Sequence, residues 1–214
     1  MLLAGCATPR GAYDATEVPA PRWRAGDVWV YRRTDLYTKL PTGIVTRDVA
    51  ADAPGVRLVT RDAAGRILRE AEYESPGIMV SGTLSEDGPV TGTLRPPLEV
   101  YAFPLVAGKR WRQTLTRTDA SDLRHYMTAA VDIEGWENVR VADRDYRALV
   151  IRRRFRLGPK DSFNRTVYRT ELEWYAPEVR GAARLRVYED LAPWGRGTST
   201  GSRFVCELQS FRLT

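Results

Sequence analysis

Short runs rich in valine, isoleucine, tyrosine, tryptophan and threonine recur along this chain between clusters of glycine, proline and aspartate, and almost no stretch carries a helical period. That pattern confines the chain to antiparallel β architectures. Runs are expected over 28–32, 44–49, 56–61 and 67–73, joined by Pro41-Thr42-Gly43, Asp52-Ala53-Pro54-Gly55 and Asp62-Ala63-Ala64-Gly65, which have the composition of hairpin turns. A more irregular middle follows, with runs over 77–84 and 90–94 flanking Ser85-Glu86-Asp87-Gly88. Pro96-Pro97 then interrupts the ladder before 100–103, as at an edge or a crossing. Strands resume over 109–118, 123–133, 146–157, 166–175, 183–188 and 203–213. A sheet of this many strands twists strongly and must curl or split into layers. The expected fold is all-β: a single antiparallel, strongly curved sheet forming a half-barrel or open barrel, with little helix.

Alternation within 146–157 assigns faces. Leu149, Ile151, Phe155 and Leu157 share one side, while Ala148, Val150, Arg152, Arg154 and Arg156 take the other, which is wet over much of its length. Arg153 sits on the apolar side. An arginine there needs a carboxylate partner, for which Glu171 and Glu173 are the candidates, or a place at a cavity mouth.

At 214 residues, 43% hydrophobic and 28% charged, the chain has the composition of an ordinary globular protein with one sizeable core. No apolar run reaches the length of a membrane-crossing helix. The formal charge of +6 comes almost wholly from arginine, the lysines being Lys39, Lys109 and Lys160. Such a surface favours anionic neighbours such as phospholipid or lipopolysaccharide phosphates, but the excess is modest and the arginines alternate with acids, so arginine-rich codon usage is the first explanation. Nucleic acid is not expected as a partner, because no recognition module is legible.

Three aromatic segments are more specific: Gly26-Asp27-Val28-Trp29-Val30-Tyr31, the stretch from Tyr101-Ala102-Phe103-Pro104 to Gly108-Lys109-Arg110-Trp111, and Glu173-Trp174-Tyr175-Ala176-Pro177-Glu178-Val179. Together they resemble a family of uncharacterised bacterial secreted proteins and lipoproteins with curved β half-barrels. The likeness spans most of residues 22–190. It departs from the family at Val141-Ala142-Asp143-Arg144-Asp145-Tyr146, where relatives often carry a Val-Pro-Ala-Gly-x-Phe turn. The resemblance implies a fold and a compartment, but no activity. Trp29, Tyr31, Tyr101, Phe103, Trp111, Trp174 and Tyr175 are therefore candidates either for packing or for lining a ligand groove. Lys109, beside the turn, is either a solvated turn residue or a grip for an anionic headgroup. The concave face of a half-barrel has to be filled by side chains, a helix or a guest, and no amphipathic helix is available to fill it.

Near the start, Leu3-Ala4-Gly5-Cys6 resembles the lipobox of bacterial lipoproteins, which implies acylation of Cys6 and attachment to a membrane. Only Met1-Leu2-Leu3-Ala4 precede the cysteine, fewer than a complete leader needs. Ala7 follows it, which in enteric lipoproteins is compatible with the outer membrane. The expected organisation is a residual signal and lipobox over 1–6, a flexible proline-containing tether over 7–21, and one β domain over 22–214. A coil of the tether's length reaches about 20 Å. Cys206 reads as a buried unpaired thiol; the alternative, a bond to Cys6, would exclude lipidation.

No catalytic, cofactor or metal site is expected. Gly197-Thr198-Ser199-Thr200-Gly201 has the spacing of a nucleophile elbow but lacks a following helix and later partners, and the lone His125 lies far upstream. His125, Cys6 and Cys206 are too isolated to hold a transition metal. Asp119 and Asp122 read as turn formers, and Glu171 and Glu173 as neighbours on one strand face. The expected function is a non-enzymatic envelope lipoprotein, periplasm-facing, that binds or scaffolds envelope components through its β domain. The alternative is a carrier or sensor holding a hydrophobic, lipid-like ligand in the concave face.

Overall fold

The structure, a computed structural model, describes residues 16–50, 55–83, 91–159, 166–192 and 199–214. Twelve strands follow one another: β1 (Val28–Asp35), β2 (Pro41–Ala50), β3 (Val56–Asp62), β4 (Ile67–Ser75), β5 (Ile78–Gly82), β6 (Gly92–Glu99), β7 (Arg110–Asp119), β8 (Arg124–Val141), β9 (Arg144–Pro159), β10 (Thr166–Ala176), β11 (Gly181–Ala192) and β12 (Ser199–Arg212). A single 3-10 turn, Pro177–Val179, is the helical content among the described residues.

Every strand pairs antiparallel with its sequence neighbours, and β1 pairs with both β2 and β12, so the sheet is a closed barrel. The expected half-barrel or open barrel is thereby corrected. β1 and β12 are matched from Val28↔Arg212 to Asp35↔Phe204, along the whole of β1. Twelve twisting strands carry the sheet full circle, and closure pairs the two edges that a half-barrel would leave open. Register shifts between Val30 and Tyr31 and between Arg33 and Thr34 give β1 the extra bend the closure needs.

The seam is locked at the base of the barrel, the end that holds the segment before β1 and the chain's last residues. Asp27 is fully buried and accepts the backbone N–H of Arg24 (3.0 Å) and of Thr214 (2.7 Å), with Arg180 Nη1 at 3.4 Å. Trp29 Nε1 donates to the Val179 carbonyl (2.6 Å), Trp23 Nε1 to the Arg180 carbonyl (3.0 Å) and Tyr31 Oη to the Ala182 carbonyl (3.1 Å). Two of the three aromatic segments thus meet here and bind each other.

The third fills the barrel. The expected strand over 100–103 is instead an irregular segment between β6 and β7, and it packs Tyr101 and Leu105 against Val131, Ile133, Leu149, Ile151 and Tyr175. Val18, inside the stretch expected as tether, is buried and bridges Leu105 through hydrogen bonds of 2.9 and 2.8 Å. Pro96 and Pro97 lie within β6. They have no N–H to donate, and the ladder to β7 stops at Arg95↔Thr116. Beyond that point side chains replace it: Gln113 Oε1 accepts the Glu99 N–H (2.7 Å), and Trp111 Nε1 donates to the Glu99 carbonyl (2.9 Å).

β8 and β9 form the longest hairpin. Beyond Gly135, at φ +148° and a register shift, its tip leans on the outer wall, where Trp174 Nε1 donates to Glu137 (2.8 Å) and Arg184 to the Arg140 carbonyl (2.9 Å). Ala148 and Val150, expected on the wet side, are buried by this fold-back.

Gly77 is at φ +99°, its carbonyl accepts the Val100 N–H (2.7 Å), and a Cβ there would run into the Tyr101 carbonyl. Gly77→Ala is expected to cost about 2–3 kcal/mol in urea unfolding, through left-handed strain and displacement of the filling segment. Gly65, also at positive φ but with open space around it, should cost less on the same substitution.

Candidate functional site: the lumen and its mouth

Inward positions of adjacent strands carry charge where the alternation calls for apolar residues. Arg153 on β9 faces Glu171 and Glu173 on β10, with Nη1 at 2.5 Å from Glu173 and 3.7 Å from Glu171. The sequence had offered both as partners, and the structure uses both. Arg169 Nε donates to Glu171 (2.8 Å) and its Nη1 to Glu189 on β11 (3.1 Å), while Arg69 on β4 reaches Glu171 at 3.8 Å. Tyr101 Oη donates to Glu173 (2.8 Å), Arg153 Nε donates to the Val100 carbonyl (3.2 Å), and the Arg153 guanidinium lies 4.5 Å from the Tyr101 ring centre. Arg153 Nη2 has no hydrogen-bond partner among the described residues, and the ring face beside it supplies part of the compensation.

This lattice fixes protonation. Burial alone would raise the Glu171 pKa, but Arg169, Arg69 and Arg153 outweigh it and bring it to about 2. Burial, reinforced by Glu173, pushes the Tyr101 hydroxyl well above its usual value, so it remains a donor.

Toward the hairpin end, opposite the base, the lumen holds a cavity of about 70 Å³ lined by Tyr31, Arg33, Val45, Arg47, Thr60, Arg69, Arg169, Ala182, Leu185, Phe204 and Cys206. It adjoins a mouth of about 370 Å³ through shared walls of Arg33, Val45 and Phe204. The mouth adds Asp35, Asp62, Arg66 and Arg203, with Ile44 and Leu68 as apolar wall. Asp35 and Asp62 are engaged in their own turns, accepting the Thr38 N–H (2.7 Å) and the Arg66 N–H (2.9 Å). The greasy concave groove expected of a half-barrel is replaced by a filled lumen with a small, arginine-walled cavity.

Of the candidate aromatics, Tyr31 lines that cavity. Trp29 and Trp174 are buried packing residues anchored through their indole N–H, as is the half-buried Trp111. Tyr101, Phe103 and Tyr175 form a ring trio with centroids 5.5 to 6.3 Å apart, Tyr175 meeting the other two edge-on. Lys109 Nζ donates to the Ala102 and Pro104 carbonyls and so staples its own turn. His125 pairs at 3.8 Å with Asp119 across the β7–β8 turn. Cys206 is buried, as expected; Cys6 lies outside the described residues. Ser199 of the elbow-like motif begins β12, whereas Gly197 and Thr198 lie outside the described residues.

Sequence reasoning missed Arg47, Arg69, Arg169 and Glu189. The signal was present: Arg47 alternates with Val45 and Val49, and Arg69 with Ala71 and Tyr73, all buried or lumen-facing. The surface is different. Among the described residues, the exposed large hydrophobic ones, Tyr37 (67%), Leu40 (64%), Ile44, Ile67, Leu123, Tyr126 and Tyr168, all belong to turns or strand ends at the hairpin end.

Arg153→Met is expected to destabilise by about 3–5 kcal/mol in denaturant unfolding, since it leaves Glu173 buried without its cation, and adding Glu173→Leu should recover much of the loss. Because the Glu171 pKa is lower folded than unfolded, its contribution is complete above about pH 4.5 and disappears as pH falls toward about 2. It amounts to something on the order of 3 kcal/mol. An acid titration of stability should therefore steepen in that window, and Glu171→Gln should flatten it.

No protein-family profile and no curated protein matches this sequence. Among solved structures, the chain is similar to a protein assigned as exported, with a YmcC-like fold, from Bacteroides fragilis: TM-score 0.50, 14% identity, 91% of this chain and 99% of that one covered. A second, the hypothetical lipoprotein YmcC from Escherichia coli, aligns at TM-score 0.45 and 8% identity over 88% of this chain and 90% of that one. At these identities the first likeness shows a shared fold, the one property of this chain that the comparisons carry.

Proposed function

We propose that this chain is a non-enzymatic lipoprotein of the bacterial cell envelope, anchored through Cys6 and facing the periplasm, whose barrel binds or scaffolds other envelope components through its hairpin-end rim. The observation that carries this reading is the segregation of every exposed large hydrophobic residue among the described ones to that rim, while the base is occupied by the closure lock and the incoming chain. Monomeric proteins scatter such residues singly, so confinement to one end is the mark of a docking surface. The lipobox-like Leu3-Ala4-Gly5-Cys6 and the exported and lipoprotein descriptions of the two fold neighbours support the compartment. Ala7 after Cys6 supports the outer membrane as its site. The carrier reading, with a lipid-like guest in a concave face, has lost the open groove that motivated it.

Cys6→Ser, introduced into the gene with a complete leader, is expected to move the protein from the membrane fraction to the soluble periplasmic fraction; unchanged fractionation refutes the anchor. A photo-crosslinking residue at Leu40 or Tyr126 should give a discrete adduct in intact cells, and one at Arg144 on the base should not. Equal labelling at the two ends, or none at either, refutes the rim as the docking surface.

A further inference from the structure

The inner cavity has an electrostatic character that the lattice around it does not need. Four of its lining residues are arginines, Arg33, Arg47, Arg69 and Arg169, and among the described residues no carboxylate lines it. Three of these cations have identified engagements: Arg169 with Glu171 and Glu189, Arg69 with the Thr83 carbonyl (3.0 Å) and Glu171, and Arg33 over the Phe204 ring at 3.9 Å. Arg47 differs. It makes no hydrogen bond or ion pair with a described residue, and only longer-range attraction links it to the Glu173 carboxylate. Its guanidinium is planar with five donors, the geometry that matches a carboxylate or phosphate in two-point fashion.

The charge count agrees. Arg47, Arg69, Arg153 and Arg169 stand in the lattice against Glu171, Glu173 and Glu189, leaving one positive charge in excess among the described residues. Arg69 registers that excess: burial, then the neighbouring Arg169 and Arg47, hold its pKa below the usual arginine value despite Glu171. The cavity of about 70 Å³ has the volume of roughly two waters, which suits one oxyanion head. The adjoining mouth, with Ile44, Leu68 and Phe204 on its wall and Arg66 and Arg203 around it, has room for a short organic body.

We propose that the lumen is a binding site for a small organic anion, its carboxylate or phosphate head held by Arg47 with Arg69 and Arg169 beside it, and its apolar body lying in the mouth against Ile44, Leu68 and Phe204. This inference goes beyond the envelope reading and does not rest on it, since its site is internal and its test reads affinity instead of location or docking.

The test is calorimetric titration of the purified full chain, at fixed ionic strength in chloride buffer, with hexyl phosphate, hexanoate and, as a cation of equal chain length, hexyltrimethylammonium. Saturable one-to-one binding of at least one anion and none of the cation is expected. Arg47→Met should weaken that binding at least tenfold, while Arg112→Met on the outer wall leaves it unchanged. Ile44→Glu, at an exposed position on the mouth, should weaken it severalfold by repulsion and keeps the proposal testable if Arg47→Met does not fold. Binding of the cation as tightly as the anions, binding insensitive to these lumen and mouth substitutions, or no saturable binding of either anion overturns the proposal.

Discussion

Glu173 is the point on which the interior depends. From β10 it accepts Tyr101 of the segment between β6 and β7 and Arg153 of β9, so a single carboxylate holds together parts of the chain more than seventy residues apart. Burying a charge is costly unless every lone pair is answered, and here the hydroxyl and the guanidinium answer from different elements. The filling segment is therefore not merely packed into the barrel. It is required there, because its withdrawal would leave Glu173 short of a donor and Arg153 without the Val100 carbonyl. In this way the sheet's closure, the filling segment and the ionic lattice become one cooperative arrangement, with a cation against each buried carboxylate instead of a uniform apolar core.

Much of this was legible locally. The alternation in 146–157 assigned the inner face of β9 correctly, and Arg153 stood out because it broke the pattern, which led directly to its partners on β10. The aromatic segments were recognisable as unusual, and the structure explains why: Trp29 binds the turn after Tyr175, and Tyr101 binds Glu173, so the three form one assembly at and above the base. Closure was not legible. It rests on pairing β1 with β12, the most distant strands in sequence, and nothing in either run distinguishes an edge that meets its counterpart from one that faces water. The 100–103 run was misread for a related reason: its β-like composition serves contacts with Tyr175 and Arg153, made possible only once the barrel exists. The inner arginines were visible as letters but not as a group, because Arg47, Arg69 and Arg169 come from β2, β4 and β10 and converge only across the lumen.

The two ends have divided the work. The base contains the lock around Asp27, the chain arriving before β1 and the last residue, Thr214, all tied by short polar contacts. The opposite end has the exposed tyrosines and aliphatic residues and the opening to the arginine-walled cavity. With the lock and the incoming chain confined to the base, the turns at the opposite end can vary without disturbing the lock.

The short pairing of β6 with β7 makes that junction one of the weaker parts of the barrel wall. Four residue pairs, Gly92↔Asp119 to Arg95↔Thr116, make up that ladder, and the rest of the junction is spanned by Gln113 and Trp111 side chains. Side-chain bridges rotate and re-form within nanoseconds, whereas a backbone ladder must unzip, so amides along this junction should exchange with solvent through brief local opening while those of the β8–β9 hairpin wait for global unfolding. Each such opening would give water a second way in, through the wall beside Gln113 and Trp111, besides the mouth.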